Sequence, residues 1–198
     1  MTGLIPALTF VIITTFTPGP NNTMSLVSGK SNGYIKSLWF LIGIFTGFFI
    51  LMLLCALFNS FLFKVFPSIK PYLSIAGSVY MLYLAYKIIR SNLGGISSYS
   101  NLFTFRKGFF LQFMNVKVIL YGLVLYASFI SPYFDGYPVL IFTALIFAST
   151  SFISISLWAL SGSKLRSIIN RKPIVFNVVT ASLMAFSSVS ILYPIIIN

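Results

Sequence analysis

The chain has 198 residues, 58% of them hydrophobic and only 7% charged, with a mean hydropathy of +0.99. A soluble domain carries roughly 25% charged residues, so this composition cannot coat a water-facing surface and describes an integral membrane protein. Thirteen Lys and Arg stand against one acidic residue, Asp135, with no His and one Cys, Cys55. That inventory excludes a His/Cys/carboxylate metal site, a carboxylate-pair or His-assisted catalytic centre and an internal disulfide, so neither an enzyme nor a cofactor is expected.

A helical bilayer crossing takes about 20 apolar residues. Six stretches meet that measure, near 4–27, 37–63, 72–89, 108–131, 138–160 and 174–195. The first lacks a basic leader and a small-residue cleavage site, so it is expected to stay as a permanent helix. It contains "TFTPGPNNTM" (15–24). Pro18 and Pro20 have no N–H, and their rings clash with the preceding turn. Thr17 and Gly19 precede prolines and are driven away from helical geometry. The helix is therefore expected to unwind over 16–21 and to restart at Asn21 or Asn22. One proline in a membrane helix is ordinarily a kink. Two around a glycine, followed by two asparagines, point to a functional break, tolerated only against protein or a water-filled cavity.

The second stretch carries Gly43 and Gly47 as a G-x-x-x-G pair, which favours close helix packing; Cys55 reads as a small apolar filler. In the third, Tyr80, Tyr83 and Tyr86 lie along one side, as a packed face with interfacial hydroxyls or as a cavity lining. The segment "SNLGGISSYSNLFTFRKG" (91–108) reads as a flexible connector. The fourth stretch contains "LQFMNVKVILYG" (111–122). Its Lys117 falls about 14 Å into the membrane at 1.5 Å per residue, a depth similar to that of the break in the first stretch. Two readings stand for Lys117: a substrate or pathway cation, or a side chain snorkelling to the inner headgroups. Asn115 is either a site residue or an interhelical hydrogen bond. In the fifth, Ser149, Thr150, Ser151, Ser154 and Ser156 are expected mostly to bond back to their own helix, with some free to touch substrate.

A helix restarted after Pro20 offers free N–H groups and a positive dipole end, and Lys117 a full positive charge; both suit a carboxylate. Carbonyls freed before Pro18, with the side-chain oxygens of Asn22 and Asn115, suit an ammonium. Together they describe a pocket for a small zwitterion.

Ten of the cations lie in or beside the first, third and fifth connections, against two, Lys64 and Lys70, in the second. The positive-inside rule places the former in the cytoplasm, both termini outside and Asp135 in an outer loop. The net charge of +12 thus faces anionic lipid headgroups; without a soluble basic face no nucleic acid is expected. The connector divides the chain into halves at about 1–90 and 108–198. Three spans in each make two inverted repeats, a common transporter plan.

"TPGPNN" in the first stretch together with "LQFMNVKVILYG" in the fourth resembles the LysE/RhtB family of bacterial amino-acid exporters. The resemblance extends over nearly the whole chain, through its length, its six hydrophobic segments, "SGKSNG" in the first connection and "GSVYMLYLAYKI" in the third segment. The family carries Asn-Pro-Lys in the fourth segment. Val116 stands here in place of that proline, which resembles the subgroup typified by the cysteine and O-acetylserine exporter and leaves the kink of the fourth helix open. The resemblance implies export of small neutral or basic amino acids and their metabolites. Carried over by motif, the functional positions are Pro18, Gly19, Pro20, Asn21, Asn115 and Lys117.

The expectation is thus an all-α membrane protein of six transmembrane helices, the first broken at the TPGPN motif, forming one transporter domain over 1–198. It is expected to sit in the bacterial inner membrane and to export a small amino acid or derivative by alternating access. Pro18, Gly19, Pro20, Asn21, Asn22, Asn115 and Lys117 would hold the solute. Its partners would be a small zwitterionic amino acid and the lipid bilayer, and a homo-oligomer is allowed. A passive small-solute channel and a non-transporting membrane assembly protein are the alternatives. Proton-driven carriers ordinarily use a membrane-embedded Asp, Glu or His. None is present, so a coupled proton would ride on Lys117, on the substrate or on water near a tyrosine.

Overall fold

The structure, a computed structural model, describes residues 4–90, 103–134 and 136–196. Asp135, most of the connector at 91–108 and the extreme ends lie outside the described residues. All regular structure among the described residues is helical: α1 (Leu4–Phe16), α2 (Pro20–Asn32), α3 (Tyr34–Leu57), α4 (Asn59–Arg90), α5 (Phe105–Met114), α6 (Val116–Leu125, continued by a π-helical turn, Tyr126–Ile130), α7 (Tyr137–Lys164), α8 (Arg166–Arg171) and α9 (Pro173–Ile196).

The helix ends follow from local chemistry. α1 stops at Phe16, and Thr17, Pro18 and Gly19 are not helical. α2 starts at Pro20, whose missing N–H costs nothing in a first turn. The restart thus falls one residue earlier than expected. Gly33 is the single residue between α2 and α3. Its φ of +77° stops α2, and its N–H donates to the Gly29 carbonyl at 2.9 Å. The first connection is therefore helical apart from one residue. Likewise α3 ends at Leu57 and α4 begins at Asn59, so the basic segment around residues 64–70, expected as a loop, is helical. Polar residues end a hydropathy signal without ending the winding of a helix.

Two helices, Tyr34–Leu57 and Tyr137–Lys164, are long and apolar enough by themselves to cross a membrane. The pair α5–α6 meets the same test as one segment bent by 64° at Asn115. Shorter apolar helices, Ala7–Phe16, Ile75–Ile89 and Pro173–Val189, occupy the other three expected stretches.

The main packings are α2 on α7, α3 on α5, α4 on α9 and α3 on α7. Two apolar cores result. One gathers Phe48, Met52, Val116, Leu125, Tyr126 and Ala148 from α3, α6 and α7. The other gathers Met24, Phe40, Leu41, Leu84, Leu111 and Ile155 from α2, α3, α4, α5 and α7. Glycines set the spacing. A Cβ on Gly43 would overlap the Phe105 carbonyl, and one on Gly108 would overlap that of Phe40, so α3 and α5 touch backbone to backbone. Gly77 of α4 meets the Met114 carbonyl, where an added Cβ would lie 2.5 Å away. Cys55 is fully buried beside Gly122, as a filler.

Candidate functional site

The breaks in α1–α2 and α5–α6 meet. Lys117 Nζ donates to Thr17 Oγ1 at 3.0 Å and to the Thr17 carbonyl at 3.4 Å. Its aliphatic stem lies against Gly19, where a Cβ would come within 3.3 Å of Lys117 Cδ. Gly19 is extended, with φ −176°. Any residue can adopt that backbone, so its want of a side chain is a matter of room for Lys117. The ammonium thus points at the break and sits over the carbonyl end of α1, where the helix dipole favours a cation.

Behind it lies a buried amide network. Asn21 Nδ2 donates to Gln112 Oε1 at 2.7 Å, and Gln112 Nε2 returns a bond to Asn21 Oδ1 at 3.2 Å. Gln112 Nε2 also donates to the Gly108 carbonyl at 3.0 Å, and Asn115 Nδ2 donates to Asn21 Oδ1 at 3.2 Å. Asn22 Nδ2 donates to the carbonyls of Thr15 and Thr17, both at 2.9 Å. Ser154 Oγ of α7 donates to the Thr15 carbonyl at 3.0 Å and to Asn22 Oδ1 at 3.3 Å. This corrects one expectation: of the carbonyls freed before Pro18, those of Thr15 and Thr17 are already taken by Asn22, Ser154 and Lys117. Asn115 Oδ1 is buried without a hydrogen-bond partner.

Beside this network is a small, partly open cavity lined by Gly19, Pro20, Asn21, Asn22, Asn115 and Lys117 with Thr14, Thr15, Thr17, Phe48, Val118, Tyr121 and Ser151. Six of the seven residues expected from the sequence are brought together here. Pro18 is exposed and is not among the lining residues; its part is to end α1.

Two helix N-termini border the cavity, and neither has a side-chain cap. Thr23 N–H is the first in α2 to reach a carbonyl, that of Gly19. In α6 the Asn115 carbonyl receives Val118 and Ile119 N–H. The amides of Asn21 and Asn22, and those of Val116 and Lys117, belong to first turns whose N–H groups have no intrahelical partner. Two positive dipole ends and an ammonium therefore converge with one free carbonyl oxygen and an aromatic wall of Phe48 and Tyr121.

The sequence reading missed Gln112, the hub of the amide network, and the threonines before Pro18. The hydroxyl-rich Thr14-Thr15-Phe16-Thr17 run was the available signal; Gln112, one turn before Asn115, gave none beyond its polarity. Of the α7 hydroxyls, Thr150 bonds back to the Ile146 carbonyl as expected, whereas Ser154 crosses to α1 and α2 and Ser151 lines the cavity. Tyr83 and Tyr86 are about half exposed on α4 and do not line this cavity.

The family described as "LysE type translocator" matches residues 12–194. Among curated relatives, the cysteine/O-acetylserine efflux proteins of Escherichia coli strain K12, of E. coli O9:H4 strain HS and of Shigella flexneri are each 34% identical over 185 residues. The match covers 93% of this chain and 95% of each relative. No solved structure matches. A family match across nearly the whole length, on a helical chain with apolar spans, makes this a membrane protein that belongs to the LysE type translocators.

Proposed function

We propose that the chain is a secondary carrier that exports a small neutral amino acid or derivative, of the size and charge of cysteine or O-acetylserine, across the bacterial cytoplasmic membrane. One observation carries the reading: the Lys117 ammonium and two uncapped helix N-termini border one cavity, and Asn115, whose buried Oδ1 has no partner, lines it too. A carboxylate is stabilised by the first three and an ammonium group by the last. Phe48, Val118 and Tyr121 leave apolar wall for a short side chain. Asn21 and Asn22 bring their backbone amides to the solute, while their side chains hold the break in shape. The efflux relatives support the same cargo.

The reading includes six crossings in a single domain, with inverted halves at about 1–90 and 108–198. The two interrupted helices, α1–α2 and α5–α6, fall at corresponding positions in those halves, the usual pointer to a carrier's midplane site. The cation asymmetry supports cytoplasmic first, third and fifth connections and external termini.

Overproduction in a bacterium is expected to raise extracellular cysteine or O-acetylserine several-fold, read by metabolite profiling of the medium. Proteoliposomes should then show saturable, stereoselective counterflow, as a pore would not. An unchanged medium, with the protein verified in the membrane, removes the export reading. Tags on either terminus are expected to label in intact cells; labelling only after permeabilisation inverts the topology.

A further inference from the structure

The cavity is bordered by α1 and closed beneath by α2, and α2 is an unusual lid. Nine of its thirteen residues are buried, among them Asn21, Asn22, Thr23, Ser25 and Ser28. A buried helix is ordinarily apolar all round. Four helix hydroxyls satisfy themselves on the carbonyl four residues back: Ser37 on Gly33, Thr46 on Ile42, Thr150 on Ile146 and Ser187 on Leu183. Thr23 Oγ1 and Ser25 Oγ, at 1% and 0% exposure, have no hydrogen-bond partner, and neither does Ser156 Oγ on the neighbouring α7.

Ser25 lies on the face that α2 turns to α7. It sits between Asn22, which receives the bond from Ser154, and Gly29, where a Cβ would overlap the Ala159 carbonyl. Gly162 of α7 answers from the other side, where a Cβ would overlap the Leu26 carbonyl. This seam is two bare backbones in contact. At the two glycines backbone lies against backbone, so there the helices can part without a side chain being withdrawn from between them. The face leads from the cavity to the end of the bundle that carries Lys30 and Lys164. At the cavity's other end α1 packs only sparingly on the same α7.

From these features we infer that the α2–α7 seam is a closed solute passage, and that its parting exposes the buried Ser25 hydroxyl on a route for a zwitterion between the cavity and the basic end. The passage rests on the carrier reading given above. The unpaired Ser25 hydroxyl lies on the route, and the glycines are its door. A hydroxyl that alternates between a closed seam and a wet passage gains nothing from a fixed partner. A glycine seam shuts tightly enough to exclude water.

The test is thiol accessibility. Ser25→Cys is made in a Cys55→Ala background, with Lys36→Cys, exposed at the start of α3, as a control for the basic face. Membrane vesicles of both orientations are treated with a membrane-impermeant quaternary-ammonium methanethiosulfonate. The thiol at position 25 is expected to react only in vesicles where the control reacts, and at least tenfold faster once Gly29→Ala wedges the seam. Gly162→Ala wedges it from the other helix and serves where Gly29→Ala fails to insert. Absence of reaction at position 25 in a protein whose control reacts overturns the passage. So does reaction from the opposite face only, or a rate unmoved by the wedge. Counterflow with an unreactive position 25 removes the passage and keeps the carrier. Reaction at position 25 without counterflow keeps the passage and removes the amino acid as its cargo.

Discussion

Lys117→Ala is expected to abolish efflux while the protein still inserts at wild-type levels. The ammonium lies 3.0 Å from Thr17 Oγ1 at the edge of the cavity and is the one full charge among the lining residues. A charge-assisted bond to a carboxylate contributes about 3 kcal/mol, so its loss lowers transport roughly a hundredfold. Lys117→Met keeps the stem against Gly19 and loses the charge, and it should fail equally. Lys117→Arg keeps the charge but brings a planar fork into space shaped by a glycine, and should recover little. The structure gives Lys117 a second task, capping the carbonyl end of α1. A thermal melt in detergent separates the two: loss of the cap alone lowers stability by about 1 kcal/mol and does not select against one solute. Wild-type efflux from Lys117→Ala at equal protein level would take Lys117 out of the site.

Gly43→Ala is expected to cost the most stability. Its Cβ would overlap the Phe105 carbonyl, a backbone atom that no rotamer change can move aside. Gly47 nearby meets Phe109 in the same way, with an added Cβ 2.5 Å from its carbonyl oxygen. Forcing α3 from α5 costs about 2–3 kcal/mol, read as a lowered melting midpoint and a lowered folded yield. Trp39→Leu on the same helix, at a side chain 69% exposed, should leave both near wild type. A Gly43→Ala protein with an unchanged melt would mean that the α3–α5 contact is looser than drawn. Displacing α5 also displaces Gln112, so partial folding should be accompanied by lost efflux.

How far the sequence told this in advance depended on whether a residue's effect was covalent or collective. Pro18 and Pro20 alter the backbone by themselves, so the gap at 17–19 was legible to within a residue or two. Lys117 was legible because a cation within an apolar stretch is conspicuous. The bend at Asn115 was not legible, because Val116 has a full N–H and nothing local forces it. The helix turns there where Gly77 lets α4 reach the Met114 carbonyl, and that is a tertiary fact. Gln112 was missed for a related reason: a polar residue near a helix start normally faces headgroups, and only the assembled bundle puts it against Asn21. The length of α4 was misread because hydropathy reports where a helix meets lipid, not where its hydrogen bonds stop.

The joint at Gly33 has a mechanical consequence. With one residue between them, α2 and α3 have no slack, and the Ser28–Ser37 hydroxyl bond at 2.8 Å ties them just beyond the corner. α3 is in turn fastened to α5 through Gly43 and Gly108. Three helices therefore form a single chassis, and Asn21, Gln112 and Asn115 are all bolted to it or to the residue that ends it. If α2 and α3 swing together off α7, the amide triangle travels intact while the Asn22–Ser154 link and the Phe45–Phe152 contact are the rivets that shear, so a cargo can be carried across the turnover without that triangle being rebuilt.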